Sequence, residues 1–360
     1  MQCTWKDNWS DTKERFTKWW NHEGLVIGGW YGLPAPSPKA AISKPNFPYS
    51  LKEQYLNADY RAKSNHYRIA NSIYPLDILP IAETNIAPGA LALFLGGEAQ
   101  FSDGAVWLHS SNKFQKAPEE WSELKLDKNN YYWLKQLDIL KMSKEFSEGK
   151  YIVGLTDLVQ NIDTLDTLRG TNDLMMDFLD RPEWVKQKVE EITQAWFEAF
   201  DEFYEIIKLD DGSMAVDCFR IFAPGKTAML QCDAAGMISE DMFNEFVLPS
   251  IKKQCKFLDY SIYHIDGPDA LRHLDSLLEI EELDAIEWTP GPQVPQGGDP
   301  HWYELYKKIL SSGKSVQAVD VGITEIVPLV KSIGTKGVYI ISQFTKQEEV
   351  DFISNQFGVY

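Results

Sequence analysis

From about residue 77 onward, short apolar runs rich in β-branched residues alternate with stretches whose apolar residues recur at helical spacing. This alternation constrains the fold more than any other feature of the chain. Strands that alternate with helices form βα units, and successive units place their strands side by side in a parallel sheet. Seven such runs occur in this part of the sequence, at 78–82, 151–155, 228–232, 260–263, 284–286, 315–319 and 337–341.

Two architectures are built from βα units, a closed (β/α)8 barrel and a doubly wound open sheet. The apolar run at 25–30 supplies an eighth strand for a barrel. Doubly wound sheets that bind dinucleotides carry a glycine-rich phosphate loop between an early strand and its helix. Here Gly96-Gly97 follows a helical stretch, and Gly28-Gly29 lacks the spacing of that loop. The sequence therefore predicts an α/β fold of the (β/α)8 TIM-barrel type.

The first sixty residues differ from the rest of the chain. Phe16, Trp19 and Trp20 share one face of a predicted helix, and five prolines follow between 34 and 48. Prolines at this density favour an extended arm over regular structure. We expect an N-terminal helical extension and proline-rich arm at 1–60, followed by the barrel at 61–360.

Charge and hydropathy restrict the partners of the protein. The formal net charge is −18 and the sequence pI is about 4.8, so the surface repels nucleic-acid phosphates and we expect no nucleic-acid partner. No apolar run reaches the roughly 20 residues needed to cross a bilayer, and the N-terminus lacks a signal-peptide pattern. The four cysteines form no CxxC pair. These features predict a reduced, cytoplasmic protein without a membrane partner.

Polar residues follow the apolar runs with a marked excess of acids. In a (β/α)8 barrel the C-terminal ends of all strands meet at one face, where active sites lie. We therefore expect these side chains to converge at one mouth and to contact a small-molecule substrate. The residues are Glu83, Asp157, Asp233, His264, Asp266, Glu287, Asp320 and Gln343.

His264 and Asp266 are two residues apart on one predicted strand and so face the same way. Such a pair suits a metal site or a base held by a carboxylate. The alternative is a core histidine beside an aspartate that only caps the next helix. Glu287, with Trp288 directly after it, could be an acid–base group next to an aromatic residue that contacts the substrate. The alternative is an acidic residue in a solvated loop.

Two further strand ends leave alternatives open. Asp233 precedes a loop of small residues that would let a ligand approach the backbone, but Cys232 alternates with it, so only one of the two faces the lumen. Asp157 and Asp163 flank a polar loop that could bind a substrate, although helix capping explains Asp163 equally well.

Several segments taken in order resemble the uroporphyrinogen decarboxylase superfamily, and the likeness covers roughly residues 150–345. This resemblance implies a (β/α)8 barrel. One branch of the superfamily decarboxylates porphyrinogens and grips their carboxylates with an N-terminal arginine-rich segment. The matching region here, about 25–34, carries no arginine, which disfavours that reaction. The segments that carry the likeness are 168–171, 178–183, 233–249, 264–267 and 337–343.

The other branch transfers methyl groups between corrinoid proteins and thiols, with zinc bound by a His-x-Cys motif and a second cysteine. His264 matches that histidine, Asp266 stands at the first cysteine position, and Ser342 or Gln343 at the second. The resemblance thus implies a methyltransferase-like enzyme with a corrinoid protein partner and an altered His264/Asp266 metal site. Without thiolates, that site would hold zinc weakly or prefer a harder divalent ion.

In that interpretation Asp233 and Glu287 position the substrate or move a proton, while Asp157, Asp320, Gln343, Trp288 and Glu83 contact it. Two other interpretations stay open. A hydrolase or lyase, such as a glycoside hydrolase, would pair Glu287 with Asp266 or Asp320. A non-catalytic barrel would bind a small molecule or a partner through the same residues.

Overall fold

The computed structural model of the protein describes residues 3–358 as a mixed α/β structure. The strands are β1 (Leu25–Gly29), β2 (Leu33–Pro34), β3 (Ser72–Ile73), β4 (Ile81–Ala82), β5 (Glu98–Ser102), β6 (Ala105–His109), β7 (Ile152–Leu155), β8 (Met214–Val216), β9 (Ile221–Ala223), β10 (Thr227–Gln231), β11 (Tyr260–Asp266), β12 (Ala285–Thr289), β13 (Ser315–Ala318) and β14 (Val338–Ser342). The α-helices are α1 (Trp9–Trp20), α2 (Leu51–Leu56), α3 (Ala58–Ala70), α4 (Leu91–Phe94), α5 (Tyr131–Ser147), α6 (Asn161–Arg169), α7 (Thr171–Asp180), α8 (Pro182–Ile207), α9 (Glu240–Phe246), α10 (Leu248–Phe257), α11 (Leu274–Leu278), α12 (Tyr303–Ser311), α13 (Ile326–Ile333) and α14 (Gln347–Phe357).

Two sheets contain all the parallel strand pairs between residues 3 and 358. The larger has six parallel strands in the order β1-β14-β13-β12-β11-β10. The smaller has the order β4-β7-β8-β9, in which β4, β7 and β8 are parallel and β9 runs antiparallel to β8. Two antiparallel pairs, β2-β3 and the hairpin β5-β6, lie outside these sheets. The predicted mixed α/β class is confirmed.

All eight predicted runs coincide with strands, and β8 is an additional parallel strand that the sequence did not predict. It has only three residues, Met214–Val216, and it directly follows the polar turn 210–213. Three residues are too few to show a strand period, so hydrophobic spacing gave no signal there.

The two sheets adjoin along both of their sides. On one side, the backbone N–H of Asp77, just before β4, donates to the carbonyl oxygen of Ile27 in β1 at 2.9 Å. The N–H of Ile27 donates in return to Asp77 Oδ2 at 3.1 Å. On the other side, the N–H of Thr227 in β10 donates to the sulfur of Met214 in β8 at 3.3 Å. Strand ends of both sheets are thereby held close together.

The N-terminal segment is part of the core. Phe16 and Trp19 of α1 are fully buried, and the Trp19 indole N–H donates to the carbonyl of Val316 at 3.3 Å. Phe16 also packs edge-on against Tyr339. Val316 and Tyr339 lie at the beginnings of β13 and β14, so α1 covers the N-terminal ends of these strands. The opposite, C-terminal ends remain accessible to ligands.

The proline-rich stretch 35–50 contains no helix or strand. Within residues 3–358, no helix combines the length and the apolar character needed to cross a bilayer.

Candidate active site

The centre of the site is a buried pair formed by His264 of β11 and Glu287 of β12. Parallel register places these two residues directly opposite each other. His264 Nδ1 makes a short hydrogen bond to Glu287 Oε2, and the Thr289 hydroxyl donates to Glu287 Oε1 at 2.8 Å. Both carboxylate oxygens are therefore occupied. The other ring nitrogen, His264 Nε2, makes no hydrogen bond within residues 3–358 and can meet a ligand.

The charge of this pair follows from its surroundings. Burial alone lowers the pKa of His264, but the Glu287 carboxylate overrides burial and, with Asp233 and Asp266, raises that pKa to about 9. Burial also raises the pKa of Glu287, which the positive charge on His264 opposes. His264 is thus an imidazolium at neutral pH, held by a carboxylate.

Four aspartates, which we call the acid cluster, lie near one another: Asp157 and Asp233, whose charges interact with His264, Asp217, whose charge acts on Asp157, and Asp163, on which the charge of Asp233 acts. Burial raises the pKa of Asp157, and the neighbouring charges on Asp217 and Asp233 raise it as well. Together they bring this pKa to about 7. Burial likewise raises the pKa of Asp163 to about 7 and that of Asp217 to about 6. Carboxyl groups with such values can donate a proton near neutral pH.

Asp157 is the member of the acid cluster best placed for chemistry. It directly follows β7, and its backbone N–H donates to Asn85 Oδ1 in a short hydrogen bond. Its carboxyl group makes no hydrogen bond to any residue between 3 and 358, while the positive charge on His264 acts on its pKa. Asp157 therefore combines a pKa near neutrality with a free carboxyl group.

Asp163 and Asp233 are connected through the loop after β10. Asp163 accepts hydrogen bonds from the backbone N–H groups of Asp233 at 2.8 Å and Ala234 at 2.9 Å. The carboxylate of Asp233 is exposed and accepts from Gln231 Nε2 at 3.1 Å, whereas Cys232 is buried. Of the two alternatives at this strand end, Asp233 is the residue that faces the open site. A cavity of about 260 Å3 adjoins it.

The turn after β8 forms one wall of the site. Phe219 and Arg220 both have left-handed backbone angles, with φ of 52° and 51°, which bulky residues rarely adopt. Gln317 Nε2 donates to the Phe219 carbonyl, and the Tyr339 hydroxyl donates to the Arg220 carbonyl, each at 2.7 Å. These bonds hold a strained turn whose Phe219 ring lies 4.8 Å from the His264 ring.

No family model matches this chain, and no curated protein matches it either. The chemistry of the site is therefore argued from its own geometry.

Two predicted substrate contacts have structural partners away from the His264–Glu287 pair. Trp288 is fully buried on the opposite face of β12 from Glu287 and packs edge-on against Trp302. Gln343 is exposed beyond β14, and its amide donates to the carbonyl of Phe344 at 3.2 Å.

Glu83 and Asp320 are also engaged elsewhere. Glu83 follows β4, and its carboxylate accepts from Arg220 at 2.6 Å. Asp320, at a left-handed φ of 53°, accepts from the indole N–H of Trp30 at 2.8 Å. Asp266 is exposed at the end of β11, near enough to His264 to raise its pKa.

The sequence reasoning missed Asp217, Phe219 and Arg220. All three follow β8, the strand that hydrophobic spacing did not reveal. The signal available was Asp217-Cys218 directly after the short apolar run 214–216, the same arrangement that marked the other strand ends.

The His264/Asp266 metal site stays a prediction. Within residues 3–358, no three His, Cys, Asp or Glu side chains are grouped so that they could hold one ion. Burial raises the pKa of both Cys218 and Cys232 well above its usual range, so they are neutral thiols.

Proposed function

We propose that the protein is a (β/α)8-barrel-like enzyme that catalyses proton transfer on a small polar substrate, as a lyase or hydrolase. The contacts along both sides of the two sheets support a closed arrangement of strands. The buried His264–Glu287 pair beside the free carboxyl group of Asp157 is the observation that carries the proposed chemistry.

Each residue has a role that its surroundings support. Asp157, with a pKa of about 7, donates or accepts the proton, because a catalytic acid is most effective when its pKa is near the working pH. The His264 imidazolium uses Nε2–H to stabilise negative charge on a substrate oxygen. Glu287 positions the ring and maintains its charge. Since both Glu287 oxygens are engaged, a glycosidase-type pair of Glu287 with Asp266 or Asp320 is less well supported.

The proposal is tested by proton exchange, which requires no knowledge of the full reaction. Small hydroxy acids, oxo acids and sugars are incubated with the protein in D2O, and NMR follows the loss of C–H signals. We expect Asp157→Asn to slow exchange by roughly 10²- to 10⁴-fold, the usual contribution of a general acid or base. The wild-type rate should rise as pH rises through about 7, because only the ionised Asp157 carboxylate can accept the C–H proton.

Asp320→Asn provides the matched control. It removes one strand-end carboxylate that is bonded to Trp30 and lies outside the acid cluster. Its exchange rate should stay within about twofold of the wild type, by analogy with surface substitutions that disturb no buried partner. Equal exchange rates in Asp157→Asn and the wild type would refute the role of Asp157.

Methyl transfer with a corrinoid protein partner is the second candidate. The sequence likeness and the free Nε2 atom of His264 favour it. Methylcobalamin is mixed with the protein and with thiol, amine or tetrahydrofolate acceptors, and the cobalamin absorption spectrum is recorded. A spectral change that needs an acceptor and disappears in His264→Gln would favour this candidate over proton transfer. Activity in neither assay would favour a non-catalytic binding barrel.

A further inference from the structure

A second cavity lies at the end of β4, between α2 and α3. Its volume is about 250 Å3, and it is separate from the His264–Glu287 pair. Glu83, which follows β4, lines it, so it opens at the same C-terminal edge as the acid cluster. Its polar and aromatic lining includes Tyr55, Tyr60, Arg61, Ser64, Arg68 and Glu83.

Arg61 lines this cavity without a carboxylate partner. Its Nη2 donates to the carbonyl oxygens of Glu83 at 3.1 Å and Asn85 at 2.9 Å. The other guanidinium nitrogens make no hydrogen bond, and no carboxylate oxygen lies within 4.0 Å, in the chain from 3 to 358. Arg68 and Arg220, in contrast, approach Glu83 to 3.8 and 2.6 Å. Burial lowers the pKa of Arg61, but an arginine keeps its charge in proteins.

Two more polar atoms in the cavity lack partners. The hydroxyl of Ser64 and the side-chain oxygen of Gln54 are buried, and neither makes a hydrogen bond. Buried polar atoms without partners cost free energy, and so does a cation withdrawn from water, a cost that the charges of Asp217 and Glu83 offset only in part for Arg61. A ligand that accepts hydrogen bonds from Arg61 and Ser64 would relieve both costs.

We propose that this cavity binds the carboxylate group of a small organic acid. Glu83 balances Arg220, its nearer arginine, so the lining has a small excess of positive charge that suits a monoanion better than a phosphate dianion. Nε–H and Nη1–H of Arg61 are the donors left for a carboxylate oxygen, because Nη2 donates to the two carbonyl oxygens. The cavity of about 250 Å3 is open to one side and has room for the carboxylate end of a small organic acid.

Asn85 connects the cavity with the acid cluster. Its carbonyl accepts from Arg61, its amide nitrogen donates to Asp217 Oδ1 at 2.8 Å, and its amide oxygen accepts from the Asp157 backbone. We therefore infer that the substrates of the proposed enzyme are small carboxylic acids. This second step rests on the proposed function, whereas carboxylate binding in the cavity does not.

Isothermal titration calorimetry of the full chain tests the binding, with propionate, succinate and inorganic phosphate as probes. We expect a carboxylate to bind, and Arg61→Gln to weaken its binding about tenfold or more, because a charge-assisted hydrogen bond from the guanidinium is lost. Ser64→Ala should weaken it a few-fold. The Ser64 hydroxyl makes no hydrogen bond within the described fold, so its removal should leave folding intact. Ser64→Ala therefore still tests the binding site if Arg61→Gln does not fold.

Lys63→Gln is the matched control. It removes one positive charge from the same helix, but Lys63 is exposed and paired with Asp59 at 2.7 Å. Binding should then stay within about twofold, as for other exposed charges. No carboxylate binding by the wild type, unchanged affinity in both Arg61→Gln and Ser64→Ala, or tighter binding of phosphate than of propionate would each overturn the proposal.

His264→Gln separates this inference from the proposed function. We expect that variant to keep its carboxylate affinity while proton exchange is lost. Carboxylate binding without any proton exchange in the wild type would support the cavity assignment and contradict the enzyme assignment.

Discussion

The charge of His264 depends most strongly on one neighbour, Glu287. Burial favours the neutral ring, whereas the Glu287 carboxylate, hydrogen-bonded to Nδ1, favours the imidazolium and raises the pKa to about 9. A charged ring can donate a hydrogen bond to a substrate oxygen through Nε2, and a neutral ring with its proton on Nδ1 cannot. The proposed chemistry therefore requires Glu287 even though Glu287 contacts no substrate.

Glu287→Gln should lower the pKa of His264 from about 9, because the largest charge that opposes burial is removed and only Asp233 and Asp266 still oppose it. NMR titration of the imidazole signals measures this value. His273 is an internal reference, since its ring stacks on Phe243 and donates to the Ala235 carbonyl, away from Glu287. A His264 pKa that stays near 9 in the variant would show that Glu287 does not hold the charge.

At the scale of elements, close packing between β7 and the turn after β8 sets the position of Asp217. Gly154 in β7 lies so close to this turn that an added Cβ would be 2.5 Å from the Cβ of Asp217 and 2.9 Å from its Cα. Asp217 in turn accepts hydrogen bonds from the Thr84 backbone and from Asn85, both at 2.8 Å. A glycine in the middle of this strand thus makes room for a carboxylate of the acid cluster.

Gly154→Ala should lower the free energy of unfolding by about 1–3 kcal/mol, the usual cost of an overpacked core, because the contact is with backbone as well as side chain. Urea denaturation measures the change. Gly236→Ala is the control: its added Cβ would meet only the Asp269 Cβ, at 3.6 Å, an ordinary contact. We expect that variant within about 0.5 kcal/mol of the wild type. Equal stability of the two variants would contradict the packing argument.

At the scale of the whole molecule, the site makes stability depend on pH. The pKa values of Asp157 and Asp217 rise on folding from 3.8 to about 7 and about 6, and that of His264 rises from 6.5 to about 9. Between pH 4 and 9 these groups bind more protons in the folded than in the unfolded protein. Their contribution to stability is therefore greatest at low pH and is lost as pH rises through these values.

The free energy of unfolding is measured by chemical denaturation at pH 5, 7 and 9 and constant ionic strength. The part that these three groups contribute should fall as the pH rises. Asp157→Asn should show a smaller fall between pH 5 and 7 than the wild type, because the titrating carboxyl group is gone. Between pH 7 and 9, where His264 titrates, the two proteins should differ little. Identical pH dependence from 5 to 7 would mean that Asp157 has an ordinary pKa.

The sequence by itself determined the α/β class and the positions of eight strands, because local spacing of apolar residues reports which backbone segments are buried. It also singled out Asp157 and Asp233, which follow β7 and β10, and His264 and Glu287, which lie inside β11 and β12 because burial continues past the polar residue there. Strand β8 was not predicted, because three residues are too few to show the alternation of a strand. The turn at Phe219 and Arg220, which follows β8, was therefore missed as well.

Only the tertiary structure decided which of these residues act together. Parallel register brings His264 and Glu287 into contact, although they are 23 residues apart, and the same register turns Trp288 to the opposite face against Trp302. The raised pKa of Asp157 depends on burial and on neighbours from distant segments, and so do the bonds of Arg61, whose guanidinium donates to two carbonyls and contacts no carboxylate within residues 3–358. Residue order along one chain does not specify those distances, because electrostatic energies depend on separation and solvent exposure in three dimensions.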